Sequence, residues 1–368
     1  MQPTHYVGVD LHRRRSVIVL RSAEGETLSV TKVANDDQLG FAKAVADAGE
    51  HPEVVIEATY GWYWAVDLLE ELGCSIHLAH PLGNAWGNPR VRNDLRDAED
   101  LVDLLRLGRL AEAWIAPPQV RELRELVRFR AKLVALRTSL KLQVYSVLAK
   151  GGVAVPMTDL FGVRGRLLIE TCELGAAYRV RVDSLRQLIE SFDREITLVE
   201  GDVQRRLAEH LGYQAIQAIP GVGPLFAAIF VAEIGDVTRF KSAAHLCSWA
   251  GLTPLHRESD TTLHRGPITK QGSRLVRWAA VEAAQRQAAA TKLREDFTRI
   301  TANHGNTPGA RKVARVAVAL QSSPSSSTAS GTDRSARRPS RRRDALRTPP
   351  DAWPFDVMAP ATPAWPRY

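Results

Sequence analysis

The stretch Tyr6-Val7-Gly8-Val9-Asp10-Leu11 decides how the start of the chain folds. It predicts a strand, because a strand buried on both faces is a nearly continuous apolar run. Asp10 interrupts that run, and a carboxylate in such a place is costly unless another group pairs with it. The simplest partner is an arginine of the basic turn Arg13-Arg14-Arg15, which follows directly. Further carboxylates at apolar strand ends would favour a functional role.

An α/β pattern extends outward from this strand. The predicted strands are residues 6–11, 16–21, 28–33, 53–57 and 74–78, and the predicted helices are residues 36–48, 62–72 and 93–107. Three strands in a meander followed by alternating helix and strand are typical of a mixed sheet. No Gly-x-Gly-x-x-Gly motif follows the first strand, so an RNase H-like (RuvC-like) fold is favoured over a dinucleotide-binding fold.

Two heptad patterns follow Pro117-Pro118. The first seam consists of Leu126, Phe129, Leu133, Leu136, Leu140, Gln143 and Val147, and the second of Val182, Leu185, Ile189, Phe192, Ile196, Val199 and Val203. Apolar residues on alternating steps of three and four predict packed long helices. The two helices form an antiparallel hairpin or half of an intermolecular bundle, so a coiled-coil helical insert and a dimer or tetramer are expected.

A smaller, mainly helical domain is predicted after the insert. It has an apolar helix at 225–234, a polar loop at 253–269, an Ala-rich helix at 274–290 and a last helix at 311–320. The composition then changes to Ser, Pro and Arg, which predicts disorder. We interpret this abrupt tail as the result of a frameshift. The predicted domains are the α/β domain at 1–116, the coiled-coil insert at 117–212 and the smaller helical domain at 213–320. The disordered tail takes residues 321–368.

The net charge of the 368 residues is +8, which favours a polyanionic partner. Residues 321–368 hold eight Arg, no Lys and four acidic residues, and therefore supply +4 of this charge. The three cysteines are far apart in sequence, as expected for a reduced intracellular protein. No apolar run approaches the roughly 20 residues needed to cross a membrane, so we expect a cytoplasmic, nucleoid-associated protein without a membrane partner.

Three more carboxylates occupy unusual positions. Glu57 ends the apolar strand Val54-Val55-Ile56, and Asp94 and Asp97 share one face of a helical turn. Considered without the other carboxylates, the two aspartates are explained equally well as acids at a helix N-terminus that the helix dipole stabilises. Together with Asp10, all four converge at one sheet edge in an RNase H-like fold. Such oxygen ligands suit Mg²⁺, and two ions can stabilise both oxygens of a phosphodiester reaction.

Basic and glycine-rich elements near the end of the chain could contact nucleic acid. Gly221 and Gly223 lie in an apolar turn before a helix, which favours either a phosphate-binding helix-hairpin-helix or a turn required for packing. Lys270, Arg274 and Arg277 follow the polar loop and would contact phosphates without reading sequence.

The quoted motifs resemble a known family in sequence order. The N-terminal motifs are Gly8-Val9-Asp10-Leu11-His12, Glu57-Ala58-Thr59-Tyr60-Gly61 and Asn93-Asp94-Leu95-Arg96-Asp97-Ala98. The C-terminal motifs are Ile219-Pro220-Gly221-Val222-Gly223-Pro224, Gly251-Leu252-Thr253-Pro254 and Gly266-Pro267-Ile268-Thr269-Lys270-Gln271-Gly272-Ser273-Arg274. The chain resembles the DEDD-type transposases of insertion sequences, which include the pilin-gene invertases and members guided by a bridge RNA.

This resemblance implies a serine nucleophile in the loop after the Gly-Leu-x-Pro element, which matches Ser259. Thr261 and Thr262 are alternatives, and His256, His264 or a metal would activate the hydroxyl. The resemblance further implies a guide RNA and a tetramer in which the acidic site of one subunit is completed by the serine of another.

The predicted function is therefore that of a transposase or site-specific recombinase. It cleaves and exchanges strands of element ends and target DNA with Mg²⁺, through a covalent phosphoserine link. A RuvC-like endonuclease with water as nucleophile is the alternative. A sugar-kinase or actin-like ATPase is disfavoured, because the turn at 12–15 lacks Gly and Thr. A non-catalytic nucleic-acid scaffold would leave the four acids unexplained.

Overall fold

The structure is a computed structural model that describes residues 5–59, 61–81, 83–84, 94–259, 262–286, 291–303, 305–307, 311 and 314–315. The predicted tail at 321–368 and most of the predicted helix at 311–320 lie outside these residues. The chain divides into two compact units, Met1–Ala116 and Pro117–Tyr368.

The first unit is built on a five-stranded mixed sheet. Its strands are β1 (His5–Leu11), β2 (Arg15–Ser22), β3 (Thr27–Ala34), β4 (Glu53–Glu57) and β5 (Ser75–Ala79). Their order is β3-β2-β1-β4-β5. The first three pair antiparallel, and β4 is parallel to β1 and β5. The predicted mixed sheet is confirmed, and it fits an RNase H-like fold.

Helices cover both faces of this sheet. The helices are α1 (Gln38–Ala46), α2 (Trp62–Glu71) and α3 (Asp94–Arg106). Helices α1 and α2 pack in one apolar cluster with Val7, Val9 and Ile56. Helix α3 packs in another, with Val17 and Val55. Since side chains alternate along a strand, Asp10 and Glu57 belong to the face that α3 covers.

Gly8 allows α3 to lie directly on β1. A Cβ at this position would be 2.4 Å from the carbonyl oxygen of Ala98 and 2.9 Å from Cβ of Val102. No side chain fits between the strand and the helix at this distance. Because Asp94 and Asp97 form the first turn of α3, the contact at Gly8 brings that turn to Asp10.

Two long helices begin the second unit. Helices α4 (Pro118–Lys150) and α6 (Ala176–Leu207) flank α5 (Val163–Thr171). The start of α4 shares a cluster with the end of α6, and the end of α4 shares one with the start of α6. The two helices therefore run antiparallel.

The predicted seam of α6 matches its buried face, but that of α4 matches only in part. Val182, Ile196 and Val203 are buried. On α4, Phe129 is 46% and Leu136 is 41% exposed, so these two seam residues are not covered within one chain, and their packing in an intermolecular bundle stays a prediction. A connection without helix or strand follows α4, and α5 then begins directly after Gly162 and buries Ile169.

The rest of the second unit forms a mainly helical core beside the start of α4 and the end of α6. Its elements are α7 (Leu211–Gln217), α8 (Pro224–Ile234), α9 (Ala243–Trp249), β6 (Pro254–Ser259), β7 (Thr262–Ile268), α10 (Arg274–Gln285) and α11 (Lys292–Asn303). Sequence analysis missed α5, α7, α9 and α11. The polar loop predicted at 253–269 is instead a β-hairpin. No helix among the described residues is long and apolar enough to span a bilayer.

We expect Gly8→Ala to displace α3 and to lower the free energy of unfolding by about 1–3 kcal/mol, as overpacking typically does. Urea denaturation measures this change. Gly61→Ala is the matched control, because a Cβ there would meet only Leu11 Cδ2 at 3.9 Å. Equal stability of both variants would contradict the close packing at Gly8.

His77 contacts two carboxylates in the first unit. Its ring contacts Glu53 Oε2 at 2.5 Å and Glu112 Oε1 at 3.0 Å, and Glu112 belongs to the segment that pairs with β5 at Ala79. Burial alone would lower the pKa of His77, but the hydrogen bonds that its ring makes to the carboxylates of Glu53 and Glu112 outweigh this effect and raise the pKa above its ordinary value.

A raised pKa in the folded state means that the stabilisation is complete below the unfolded-state pKa and is lost as pH rises through the folded value. The advantage of the native chain over His77→Gln should therefore shrink as the pH is raised from about 6 to about 9, around the ordinary histidine pKa. Urea denaturation across this range tests it. Glu112→Gln removes one carboxylate and should reduce the slope. A pH-independent difference would contradict the assignment.

Candidate metal centre and serine hairpin

Three side chains meet where β1 ends and α3 begins. His12 Nε2 lies 2.9 Å from Asp10 Oδ2 and 3.2 Å from Asp94 Oδ1. On its other side, Asp94 Oδ2 accepts a hydrogen bond of 2.7 Å from Arg15. Among the described residues, these three bring one potential metal-binding atom each to within 4.8 Å of the other two. We call Asp10, His12 and Asp94 the acidic cluster.

Asp10 is the buried member of the acidic cluster, with 9% of its side chain exposed. Burial raises the pKa of Asp10; the nearby charges of Asp97 and Asp94 add to this, while His12 opposes it. The approach of His12 lacks hydrogen-bond geometry, so the buried Oδ2 of Asp10 has no hydrogen bond from the described residues. A cation is the group that would relieve this arrangement.

The other two predicted ligands lie beside the acidic cluster. Asp97 is one helical turn beyond Asp94 and close enough to raise the pKa of Asp10. Glu57 follows Ile56, which pairs with Val9, so the parallel register places Glu57 next to Asp10. The structure thus groups all four acids at one edge, although Glu57 and Asp97 are outside the closest group.

The acids further along α3 have a different role. Asp103 accepts hydrogen bonds of 2.9 and 3.1 Å from Arg21 on β2, and Glu99 is 3.6 Å from the same guanidinium. Arg106 also contacts Asp103. These pairs attach α3 to the sheet, so they separate the structural acids of α3 from those at its start.

The acidic cluster fits a divalent cation. It offers hard carboxylate oxygens, one of them buried without a hydrogen bond, on elements fixed by backbone contacts. The negative charge of Asp94 is already partly compensated, because the hydrogen bond from Arg15 lowers the pKa of Asp94. Sequence analysis did not select His12 as a site residue. Its position two residues after a buried aspartate, in the turn that ends the strand, was the available signal.

Ser259 lies at the tip of the β-hairpin. It is the last residue of β6, pairs with Thr262 and is exposed. Thr261 lies outside the described residues. The ladder pairs His264 with Arg257 and His256 with Arg265. Strand alternation therefore puts position 264 on the same face as position 259, and position 256 on the other.

The base of the hairpin is held by two close backbone approaches. Gly251 has φ of +69°, and a Cβ on it would be 2.1 Å from the Gln271 carbonyl oxygen. Gly272 has φ of +68°, and its Cβ would be 1.9 Å from the Trp249 carbonyl oxygen. Backbone hydrogen bonds from Thr269 to Thr253 and from Lys270 to Gly251 close the same junction.

Arg277 ties this junction to α10. Its Nη1 donates to the carbonyl oxygens of Ala250 at 2.9 Å and Gly272 at 3.2 Å, and also to that of Gln271. Burial is the main reason that the pKa of Arg277 is lowered. We predicted Arg277 to be a phosphate contact, but this nitrogen holds the hairpin. Lys270 and Arg274 are exposed and remain candidates.

A glycine turn joins two helices before the serine hairpin, so the helix-hairpin-helix stays a prediction. The turn joins α7 to α8, with Gly221 at φ of +84° and Gly223 as the residue before the first turn. A Cβ on Gly223 would meet nothing within 4 Å among the described atoms. Packing therefore does not require a glycine at position 223, whereas backbone conformation does at position 221.

Comparison with known proteins identifies two family matches. A model for DEDD transposases of IS110 elements, described as "Transposase", matches residues 7–151. A model described as "Transposase IS116/IS110/IS902 family" matches residues 213–299. The first match covers the acidic cluster, and the second covers the hairpin with Ser259.

Individual relatives agree with these matches. The y4qE protein of Sinorhizobium fredii, which is named as a transposase, is 29% identical over 76% of this chain and 70% of its own length. The 44.8 kDa protein of insertion element IS116 of Streptomyces clavuligerus is 25% identical over 76% of this chain and 84% of its own. The pilin gene-inverting protein of Moraxella lacunata is 40% identical over 15% of this chain and 18% of its own.

Gly272→Ala should loosen the hairpin base, because the new Cβ would collide with backbone in a conformation that favours glycine. We expect faster hydrogen exchange at the amides of Thr269 and Lys270 and a loss of about 1–3 kcal/mol of stability. Exchange measured by mass spectrometry tests this. In the control Gly266→Ala, the Cβ would lie 3.4 Å from Leu255 Cβ, and exchange at the base should stay native. Similar protection in both variants would show that the junction does not hold the hairpin.

Proposed function

Because the chain belongs to the family of DEDD-type insertion-sequence transposases, we propose that it cleaves and rejoins DNA strands through a phosphoserine intermediate on Ser259. The observation that carries the proposal is the exposed position of Ser259 at the tip of a hairpin whose base is fixed. A nucleophile must be accessible to a phosphate, and the backbone that carries it must stay in place. An exposed residue at the tip of an anchored hairpin meets both requirements.

The acids supply the second part of the proposal. Asp10 and Asp94 would hold a cation, and Glu57 and Asp97 would complete the ligand set for two ions. When bound, Mg²⁺ would neutralise charge that develops on the phosphate oxygens. The protein's own contribution is to hold a buried carboxylate and a carboxylate oriented by Arg15 at a fixed separation, since His12 contacts both.

The serine chemistry balances without an outside reagent. Ser259 Oγ forms a bond to phosphorus as the bond from phosphorus to one deoxyribose oxygen breaks. The serine proton passes to a base, and the leaving oxygen takes up a proton and becomes a hydroxyl. Position 264 lies on the same hairpin face as Ser259, which favours His264 over His256 as that base. Attack by a hydroxyl of another strand reverses the step and rejoins DNA.

The partners follow from the same chemistry. Element ends and target DNA are the substrates, and the exposed Lys270 and Arg274 contact their phosphates. The glycine turn at Gly221 and Gly223 presents backbone N–H groups to another phosphate. We further propose an element-encoded guide RNA and a homo-oligomer formed through α4. The exposed apolar residues Phe129 and Leu136 on α4 support the homo-oligomer.

Ser259→Ala should bind DNA normally but lower covalent adduct formation by at least about 10³-fold, as expected when a nucleophile is removed. Denaturing gel electrophoresis with labelled element-end DNA detects the adduct. Asp10→Asn should also form none, because its ligand charge is gone.

Thr262→Ala is the matched control, since Thr262 pairs with Ser259 across the hairpin, and it should form the adduct. An adduct that persists in Ser259→Ala and disappears in Thr262→Ala would move the nucleophile to the threonine. Cleaved ends without any adduct in the native chain would instead favour an endonuclease that uses water.

A further inference from the structure

We propose that His12 is a nitrogen ligand of the cation held by Asp10 and Asp94, so that the centre is a mixed nitrogen and oxygen site. The inference rests on the metal site of the proposed function and adds a ligand to it. His12 is the imidazole that reaches both carboxylates in the described chain.

The separations of the donor atoms match neighbouring positions around one ion. His12 Nε2 is 2.9 Å from Asp10 Oδ2 and 3.2 Å from Asp94 Oδ1. Two adjacent ligands of an octahedral ion with bonds of about 2.1 Å lie about 3 Å apart. An ion can therefore be placed among these atoms with only small movements of the side chains.

The buried oxygen of Asp10 points to a ligand independently of that spacing. Its side chain is nine-tenths buried, and Oδ2 is without a hydrogen bond from the described residues. A buried carboxylate oxygen left in that state is costly. The same oxygen is the one nearest His12, so the oxygen that lacks a hydrogen bond and the imidazole nitrogen lie 2.9 Å apart and could both bind an ion placed beside them.

The turn that carries His12 is fixed by its backbone. The amide of His12 donates to the carbonyl of Arg15 at 3.0 Å, and the Asn35 side chain donates to the carbonyl of His12 at 2.7 Å. Ser16 in turn donates to Asn35 at 2.8 Å. The ring is thus presented from a rigid support, as a ligand requires.

Arg15 orients the opposite carboxylate. Its hydrogen bond to Asp94 Oδ2 leaves Oδ1 directed towards His12. Outer contacts of this kind orient the ligands of a metal site. A centre with an imidazole nitrogen favours Mn²⁺ over Mg²⁺ more than an all-oxygen centre does.

A protonated imidazole that serves as a resident counter-ion would give the same two distances, but it would leave when a cation binds. Nitrogen coordination separates the two cases. We would load the full-length native chain with Mn²⁺ and record electron spin echo envelope modulation, which detects a coordinated ¹⁴N nucleus. The native chain should show nitrogen modulation, and His12→Gln should lose it and bind Mn²⁺ at least about tenfold more weakly. His77→Gln should resemble the native chain, since His77 contacts Glu53 and Glu112 elsewhere on the sheet.

Mn²⁺ binding without nitrogen modulation in the native chain would overturn the role of His12 and leave the proposed function standing. Modulation that persists in His12→Gln would also overturn it. No Mn²⁺ binding by a folded native chain would overturn the metal site of the proposed function, and the ligand with it. Circular dichroism establishes folding of each variant, and His12→Asn provides a second substitution at this exposed position.

Discussion

The absence of a side chain at Gly8 is the constraint on which the first unit depends. Helix α3 lies so close to β1 that its backbone oxygen at Ala98 occupies the space of a Cβ. This contact brings the first turn of α3, which carries Asp94 and Asp97, to the buried Asp10 at the end of β1. Like charges gathered in this way repel each other and raise the cost of burial. The packing of α3 on β1 therefore brings negative charges together, and a cation or a basic side chain is needed to compensate them.

The same helix handles its acids in two ways. At its middle, Asp103 and Glu99 pair with Arg21, which rises from β2 with 14% of its side chain exposed. At its start, Asp94 receives one hydrogen bond from an arginine and shares His12 with Asp10, and Asp10 retains an oxygen without a hydrogen bond among the described residues. Arginines supply the partners in the first arrangement, whereas in the second the two carboxylates share one histidine and a single arginine contacts Asp94. This difference in compensation separates the acids that hold α3 in place from those suited to chemistry.

Sequence analysis predicted the five strands and α1 to α3, because alternating or continuous apolar runs and Gly turns specify them locally. The hairpin at 254–268 escaped prediction, since His, Arg, Glu and Thr on both of its faces give no apolar period. The heptad of α4 predicts an apolar stripe that includes Phe129 and Leu136, but it does not predict which chain covers that stripe, because periodicity carries no information about the partner. The acids were found by their positions at strand ends, but His12 depends on the turn that folds it back onto Asp10, and this is visible only in three dimensions.

The serine site differs from the acidic cluster in how much of its chemistry is built in advance. The acidic cluster is charged and partly buried before any substrate arrives. Ser259 is exposed, and its hydroxyl has no hydrogen bond to a described residue, although its hairpin is fixed at Gly251, Gly272 and Arg277. A serine hydroxyl is a weak nucleophile without a base or a metal beside it. The hairpin therefore fixes where the nucleophile lies, but it does not itself make the hydroxyl more reactive. In the proposed mechanism, that reactivity comes from the base that takes up the serine proton, for which His264 is the favoured candidate.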